Sequence, residues 1–365
     1  MGVYKTKNAT KDGRSYYFRV TYKDLFGNRR DYSSQKFKTK REAMQEEAKY
    51  RSSFKNFVLR SSTITIKDAF LDYEDKLRSS VKKQTLQLDN YVFNNLTPIE
   101  NVKVNSISIE TIKELKTYLD KKGYSIRYKN TILKLLKRIT KHSSMYYLTS
   151  DSILKFITTY KSVNEIKKEL NFYTIEEFKQ FIINVDKPEW KCFFEMLFYL
   201  GLRCGEAQAL TWKDIDFTKE CVNINKTLTS KIKGERWTIS APKTKNSTRI
   251  LPIPKKVLNS LKICFSEAKK YKNFSTEWFV FGNSVPFKET TIRVKKNMYC
   301  KLANLKPIRI HDFRHSCASM LINQNASIVL VSKWLGHANI STTLNIYSHL
   351  YTSELEIIKE RINNI

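Results

Sequence analysis

From about Ser62 to Lys168 the apolar side chains of this 365-residue chain recur every three or four positions, the spacing that lines one face of an α-helix. Ile66, Phe70, Tyr73 and Leu77 share one such face, Leu86 to Leu96 supply a second element, and Ile109 to Leu119 a third. A fourth helix is expected from Ile126 to about Met145. In it Ile132, Leu135, Leu136 and Ile139 turn inward, while Arg127, Lys129, Lys134, Lys137, Arg138 and Lys141 cover the remaining surface. The stretch therefore predicts an all-helical unit. Its basic fourth helix can lie along phosphates, although a charged helix face more often only meets solvent.

The flanks follow other rules. Tyr16, Phe18, Val20 and Tyr22 alternate with Tyr17, Arg19, Thr21 and Lys23, the period of a half-buried strand. Asp24 to Asn28 is expected to turn the chain into a second strand from Arg29 to Phe37. Thr39 with Glu42 then forms a capping box for a helix through Ala43 to Tyr50. On the other side, the polar, Lys-rich stretch Thr158 to Glu169 is expected to be a linker. Beyond it, Thr174 and Glu177 cap a helix that ends near Val185, and an apolar helix runs from Trp190 to Leu200. Gly201 ends that helix, Arg203 lies in the turn, and another helix begins near Glu206. Alternating segments at Val222 to Leu228, Trp237 to Ser240 and Arg249 to Ile253 predict a small antiparallel sheet before helices resume. The fold class expected is multidomain: a small sheet plus helix, an all-α unit, and a mainly-α unit with a small antiparallel sheet.

Charge points to a partner. Sixty-six Lys and Arg against thirty-five Asp and Glu leave a net +31, and the first 60 residues alone hold sixteen against six. So large an excess suits a polyanion, and a basic ribbon can enter a DNA groove. The competing readings are a basic proteome and a solvated basic hairpin. The six cysteines, at 192, 204, 221, 264, 300 and 317, show no metal-finger spacing, so reduced thiols are expected. No apolar run reaches the roughly 18 residues of a membrane span, and no signal-type leader is read. Met1 to Thr6 fits a weak myristoylation pattern that is taken as chance. A cytoplasmic protein without a membrane partner is expected.

Three short segments carry groups suited to phosphoryl transfer: Leu200-Gly201-Leu202-Arg203-Cys204-Gly205-Glu206, Ile310-His311-Asp312-Phe313-Arg314-His315, and Trp334-Leu335-Gly336-His337 followed by Asn345-Ile346-Tyr347-Ser348-His349. Each alone is a weak signal. Together, in this order, they resemble the tyrosine recombinases, the family of phage integrases, Xer-type resolvases and conjugative-transposon integrases. The resemblance covers nearly the whole chain. It implies an arm-type DNA-binding domain over residues 1–60, a helical core-binding domain over 61–160, a linker at 161–169 and a catalytic domain over 170–365. Because Xer-type enzymes lack the arm domain, the likeness is narrower toward integrases of phages and conjugative elements.

The residue chemistry agrees with the resemblance. Arg203 and Arg314 can each offer paired N–H donors to the oxygens of an attacked phosphodiester and stay charged at cellular pH. His311 shares a helix face with Arg314, and His337 can donate to the same phosphate or handle the nucleophile's proton. Tyr347 is the expected nucleophile, its phenolate favoured by neighbouring cations; Tyr351 is a more distant rival. Glu206 and His315 resemble supporting positions. The family's hairpin lysine, the acid for the departing 5′-oxygen, matches Lys243 best, with Lys245 on the same strand face. Arg19, Lys23, Arg29 and Arg30 of the ribbon and Arg127, Lys134, Lys137, Arg138 and Lys141 of the fourth helix are the expected DNA contacts.

The implied reaction conserves bond energy in a 3′-phosphotyrosine, so it calls for no ATP, metal or other cofactor. The implied partners are double-stranded DNA with core and arm sites, a homotetramer in the synapse, an excisionase and a host DNA-bending protein. The rival functions are a Xer-like resolvase or invertase, a type IB topoisomerase, and a DNA-binding regulator that has lost catalysis.

Overall fold

A computed structural model of the chain describes residues 2–6, 10, 12–23, 29–147, 149–150, 152–161, 171–230, 232, 234–241, 248–348, 359 and 362–364, with the backbone alone at 22–23, 29–30 and 51–62. The expected turn at Asp24 to Asn28, most of the expected linker, and Tyr351 lie outside the described residues. The chain divides into two compact units, Met1–Glu165 and Ile166–Ile365.

The first unit opens with an antiparallel sheet of β1 (Gly2–Lys5), β2 (Tyr16–Lys23) and β3 (Arg29–Ser33), in that order. Phe18 and Val20 of β2 are buried on one face, as their alternation requires, and Val3 and Tyr32 are their cross-strand partners. The strand β1 escaped the sequence reading because four residues carry too little alternation to register. The second strand is also shorter than expected: β3 ends at Ser33, and Phe37 returns to pair with Tyr16 as an isolated bridge. The helix α1 (Lys40–Thr63) starts at the expected box, with the Glu42 N–H donating to Thr39 Oγ1 at 3.1 Å, and continues well past Tyr50. Tyr50 of α1 stacks on Tyr32 at 4.3 Å, which ties the helix to the sheet.

Four helices follow, α2 (Ile66–Leu77), α3 (Lys83–Phe93), α4 (Ile109–Lys121) and α5 (Ile126–Tyr147). Ile132, Leu135, Leu136 and Ile139 of α5 are fully buried, and Phe70 of α2 stacks on Phe93 of α3 at 4.1 Å. On the opposite face Arg127, Lys134 and Lys141 are exposed and Lys137 is half-buried. Arg138 differs from these four in having an ion-pair partner among the described residues of the unit. Its Nη1 and Nη2 fork onto the buried carboxylate of Asp89 at 2.9 and 2.8 Å, and Nη1 also reaches the Tyr73 hydroxyl at 2.9 Å. A buried carboxylate needs a cation, so this guanidinium braces α2, α3 and α5 while its side chain stays 44% exposed.

In the second unit α6 (Ile175–Ile183) and α7 (Pro188–Tyr199) form an aromatic core in which Phe178 stacks on Phe198 at 3.8 Å and Phe313 closes on Phe194 at 5.5 Å. After α8 (Cys204–Ala209) come β4 (Ile215–Asp216), β5 (Cys221–Ile224), β6 (Thr227–Thr229), β7 (Thr238–Ser240) and β8 (Arg249–Pro252). The one expected sheet is two: β4, β5 and β8 form the first, β6 and β7 the second. The break falls at Asn225 and Lys226, where Lys226 Nζ is drawn to Asp214 Oδ2 at 2.7 Å. Helices α9 (Lys255–Lys269), α10 (Glu289–Leu302), α11 (Asp312–Asn323), α12 (Ile328–Leu335) and α13 (Ile340–Tyr347) complete the unit. Among the described residues no helix is long and apolar enough to cross a membrane.

The turn between α7 and α8 is where the helices of the candidate site converge. Gly201 has φ +61°, and a Cβ on it would lie 2.5 Å from Leu335 Cδ2 of α12 and 3.1 Å from Cys317 Sγ of α11. Both the left-handed backbone and the close approach select glycine. Gly201→Ala should therefore lower stability by roughly 1–3 kcal/mol through backbone strain and overpacking, read as a fall in the thermal midpoint. An unchanged midpoint would show that α12 can recede without cost.

Candidate active site

The site is organised around Arg314, in the first turn of α11. That helix starts firmly because buried Asp312 accepts the Arg309 backbone N–H at 2.7 Å and its guanidinium at 2.7 Å. Arg314 is 2% exposed, and its two terminal nitrogens donate to Gly201 O at 2.8 Å and Leu335 O at 2.6 Å. Both carbonyls belong to helix ends, one just beyond α7 and the other at the last residue of α12, where Gly336 has φ +69°. Carbonyls there lack partners within their own helix and carry the negative end of its dipole, so a buried guanidinium suits both. Burial, with Arg203 nearby, lowers the Arg314 pKa to about 9, which leaves it charged at neutral pH.

Arg203 precedes α8 and is more open, its side chain 37% exposed. Its Nη1 donates to Glu206 Oε1 at 2.7 Å, and its backbone N–H donates to Oε2 at 3.0 Å. The same Oε2 accepts Arg249 Nη2 at 3.2 Å, while Arg249 Nε donates to Trp334 O at 2.9 Å. Burial alone would raise the Glu206 carboxyl, but Arg249 and Arg203 hold it below the usual range. Arg249 is a member of the cluster that the sequence alone did not single out. Its only visible signal was a basic residue opening a strand directly after the lysine hairpin.

His311 lies immediately before α11 in a helical conformation, so it keeps the expected relation to Arg314. Its ring meets that of His315 edge-on at 5.1 Å. His337 follows the α12 glycine and engages Thr343 Oγ1 through Nδ1 at 2.7 Å. Burial, reinforced by nearby cations, lowers His311 to about 4 and His337 to about 3, and burial also lowers His315. All three rings are therefore neutral at pH 7. Tyr347 ends α13, 1% exposed, with its hydroxyl 2.6 Å from His315 Nδ1. Burial pushes this phenol well above its ordinary value despite the opposing pull of Arg314. The expected net lowering by cations is thus reversed in this state, because desolvation of the phenolate outweighs the nearby guanidinium.

The structure brings Arg203, His311, Arg314, His337 and Tyr347 into one charged cluster. Lys243 and Lys245 lie outside the described residues, as do the side chains of Lys23, Arg29 and Arg30. Arg19 is exposed and 3.7 Å from Asp31. A cavity of about 1180 Å³ extends from His311 and Arg309 to Arg236, Arg293 and the buried Lys296. Among the described residues no group of three His, Cys, Asp or Glu is placed to hold a metal ion. Chemically, the cluster can hold a tetrahedral anion by several N–H donors beside one phenol.

Comparison with known proteins supports the same reading. The arm DNA-binding domain family matches residues 4–53. The chain is 29% identical over 340 residues to the ICEBs1 integrase of Bacillus subtilis (strain 168), covering 90% of each. In fold it is similar to the Tn1549 transposon integrase in complex with a circular intermediate DNA, with TM-score 0.69, 20% identity, and 82% and 99% of the two chains covered. It is also similar in fold to the lambda integrase tetramer bound to a Holliday junction, with TM-score 0.59, 14% identity, and 91% and 95% covered. The phage integrase family pattern spans residues 168–354, half of the chain, and the protein belongs to that family.

Proposed function

We propose that this protein is a site-specific DNA recombinase that integrates and excises a phage or a conjugative transposon, working in the cytoplasm. The observation that carries the reading is the buried Tyr347 beside Arg314, with Arg203, His311 and His337 in the same cluster. Tyr347 attacks a scissile phosphate to form a 3′-phosphotyrosine and release a 5′-hydroxyl, and the 5′-hydroxyl of a partner duplex reverses the attack. Arg203 and Arg314 stabilise the charge gathering on the phosphate oxygens. Neutral His311 and His337 each donate one N–H to it, and Lys243 protonates the departing 5′-oxygen. Residues 1–60 read arm sites, 61–160 core sites, and 170–365 perform the chemistry, with 161–169 joining them. Two duplexes with two cleavage sites each require four protomers, in keeping with the lambda integrase tetramer. An excisionase and a host DNA-bending protein complete the proposed assembly. The arm domain favours an integrase over a Xer-like resolvase.

Three outcomes test this. Tyr347→Phe should bind its core site and form no covalent complex on a nicked suicide substrate, while the wild type forms one in EDTA. A denaturation-resistant adduct from the variant would remove Tyr347 from the role, and loss of wild-type cleavage in EDTA would remove the metal-free mechanism.

If Lys243 is the acid, Lys243→Ala should lose on the order of 10²–10⁴ in cleavage rate and recover on a substrate with bridging 5′-sulfur, whose thiolate leaves without a proton. Recovery of Lys245→Ala instead, with Lys243→Ala behaving as wild type, would move the role two residues along.

The exposed stripe on α5 makes a quantitative claim. Lys134→Ala combined with Lys141→Ala should reduce the slope of log affinity against log salt by about 1.8, two phosphate contacts at about 0.9 each. An unchanged slope would leave these lysines as a solvated face.

A further inference from the structure

The proton of the nucleophile has no assigned destination in the scheme above, and three histidines stand near it. We propose that His315 is the base that takes the proton of the Tyr347 hydroxyl as that oxygen attacks the scissile phosphate; this rests on Tyr347 being the nucleophile.

His315 Nδ1 lies 2.6 Å from Tyr347 Oη, within direct proton-transfer distance. His337 Nδ1 is occupied by Thr343 Oγ1, which leaves its other nitrogen for the phosphate. His311 meets the cluster through the edge of the His315 ring. The histidine in contact with the reacting atom is therefore the one that sequence reasoning placed in a supporting role.

The setting suits a base. His315 sits in the first turn of α11, a helix fixed at its start by Asp312 and further by Ser316, whose hydroxyl donates to Asp312 O at 2.8 Å and accepts the Tyr173 N–H at 2.9 Å. The ring is buried and neutral at pH 7, so Nδ1 can accept. Asp312 on the same helix favours the imidazolium, while Arg309 and Arg314 disfavour it, and the neutral His311 ring faces it from before the helix. The helix N-terminus adds positive potential, so a proton taken here is readily given back.

The step balances. The Oη–H bond breaks and its proton passes to Nδ1, while the Oη–P bond forms. The P–O5′ bond then breaks, its electron pair leaves on O5′, and that oxygen is protonated by the general acid. In the second transesterification the incoming 5′-hydroxyl gives its proton back to the deprotonated general acid as the P–O5′ bond forms, and the imidazolium returns its proton to the tyrosyl oxygen as the P–Oη bond breaks.

Single-turnover covalent-complex formation by the full-length protein on a nicked core-site duplex, followed against pH, tests the role. Asn at position 315 places an amide oxygen where Nδ1 was, so it can accept the hydrogen bond but cannot carry the proton away. His315→Asn should bind core DNA as the wild type does, lose about 10²–10⁴ in rate at neutral pH, and show a rate first-order in hydroxide in place of the wild-type acid limb. His315→Asn with the wild-type rate and profile would reduce His315 to a prop and overturn the inference, leaving the nucleophile untouched. Tyr347→Phe is run beside it, and an adduct from that variant would instead overturn the underlying reading. A measurement on the wild type guards against a variant that fails to fold: histidine ¹⁵N NMR of the resting protein should show His315 with Nδ1 bare and Nε2 protonated. A protonated Nδ1 would sink the proposal.

Discussion

Arg314 donates from one guanidinium to two carbonyls that no helix can satisfy, Gly201 O and Leu335 O. The arrangement works only because both chain segments end in left-handed glycines, which turn the last carbonyls inward. Remove the guanidinium and two helix ends lose their partner in a buried place; remove either glycine turn and the charge is stranded. Lysine could not substitute, since a single ammonium has neither the fork nor the span to serve both oxygens. The remaining N–H groups of Arg314 are held in place by contacts already made, so in the proposed reaction its positioning is achieved before DNA arrives.

Around that anchor the site carries more positive charge than it neutralises. Glu206 bridges Arg203 and Arg249, with Arg314 close by. Burial opposes the second protonation of His311 and His337, and the neighbouring cations reinforce it. In the proposed reaction these histidines act as neutral donors or acceptors. The surplus of cations also suits the proposed attack by a phenol held above its usual range, since a bound phosphate gives them something to stabilise only as charge gathers on it.

The basic character of the chain is not spent uniformly. On α5, Arg127, Lys134 and Lys141 present their charge outward, whereas Arg138, one turn from both lysines' rows, is committed to Asp89. Counting charge on a helical wheel treats these residues alike. Packing separates them, because a buried carboxylate on α3 claims whichever cation reaches it.

Periodicity and capping are local, and the sequence by itself determined what depends on them: the helices of the first unit, the caps at Thr39 and Thr174, and the glycine that ends α7. The members of the Arg203, His311, Arg314, His337 and Tyr347 cluster were legible too, because they recur in a family order that needs no coordinates to see. Contacts between distant segments were not legible. Only the tertiary structure decided that Arg249 shares Glu206 with Arg203, that Arg138 pairs with the buried Asp89, and that the β-segments split into two sheets at Lys226. It also decided that His315, not His337, lies against the Tyr347 hydroxyl. These four outcomes have one physical cause: each is set by which buried polar group must be satisfied, and burial belongs to the folded chain rather than to any window of its sequence.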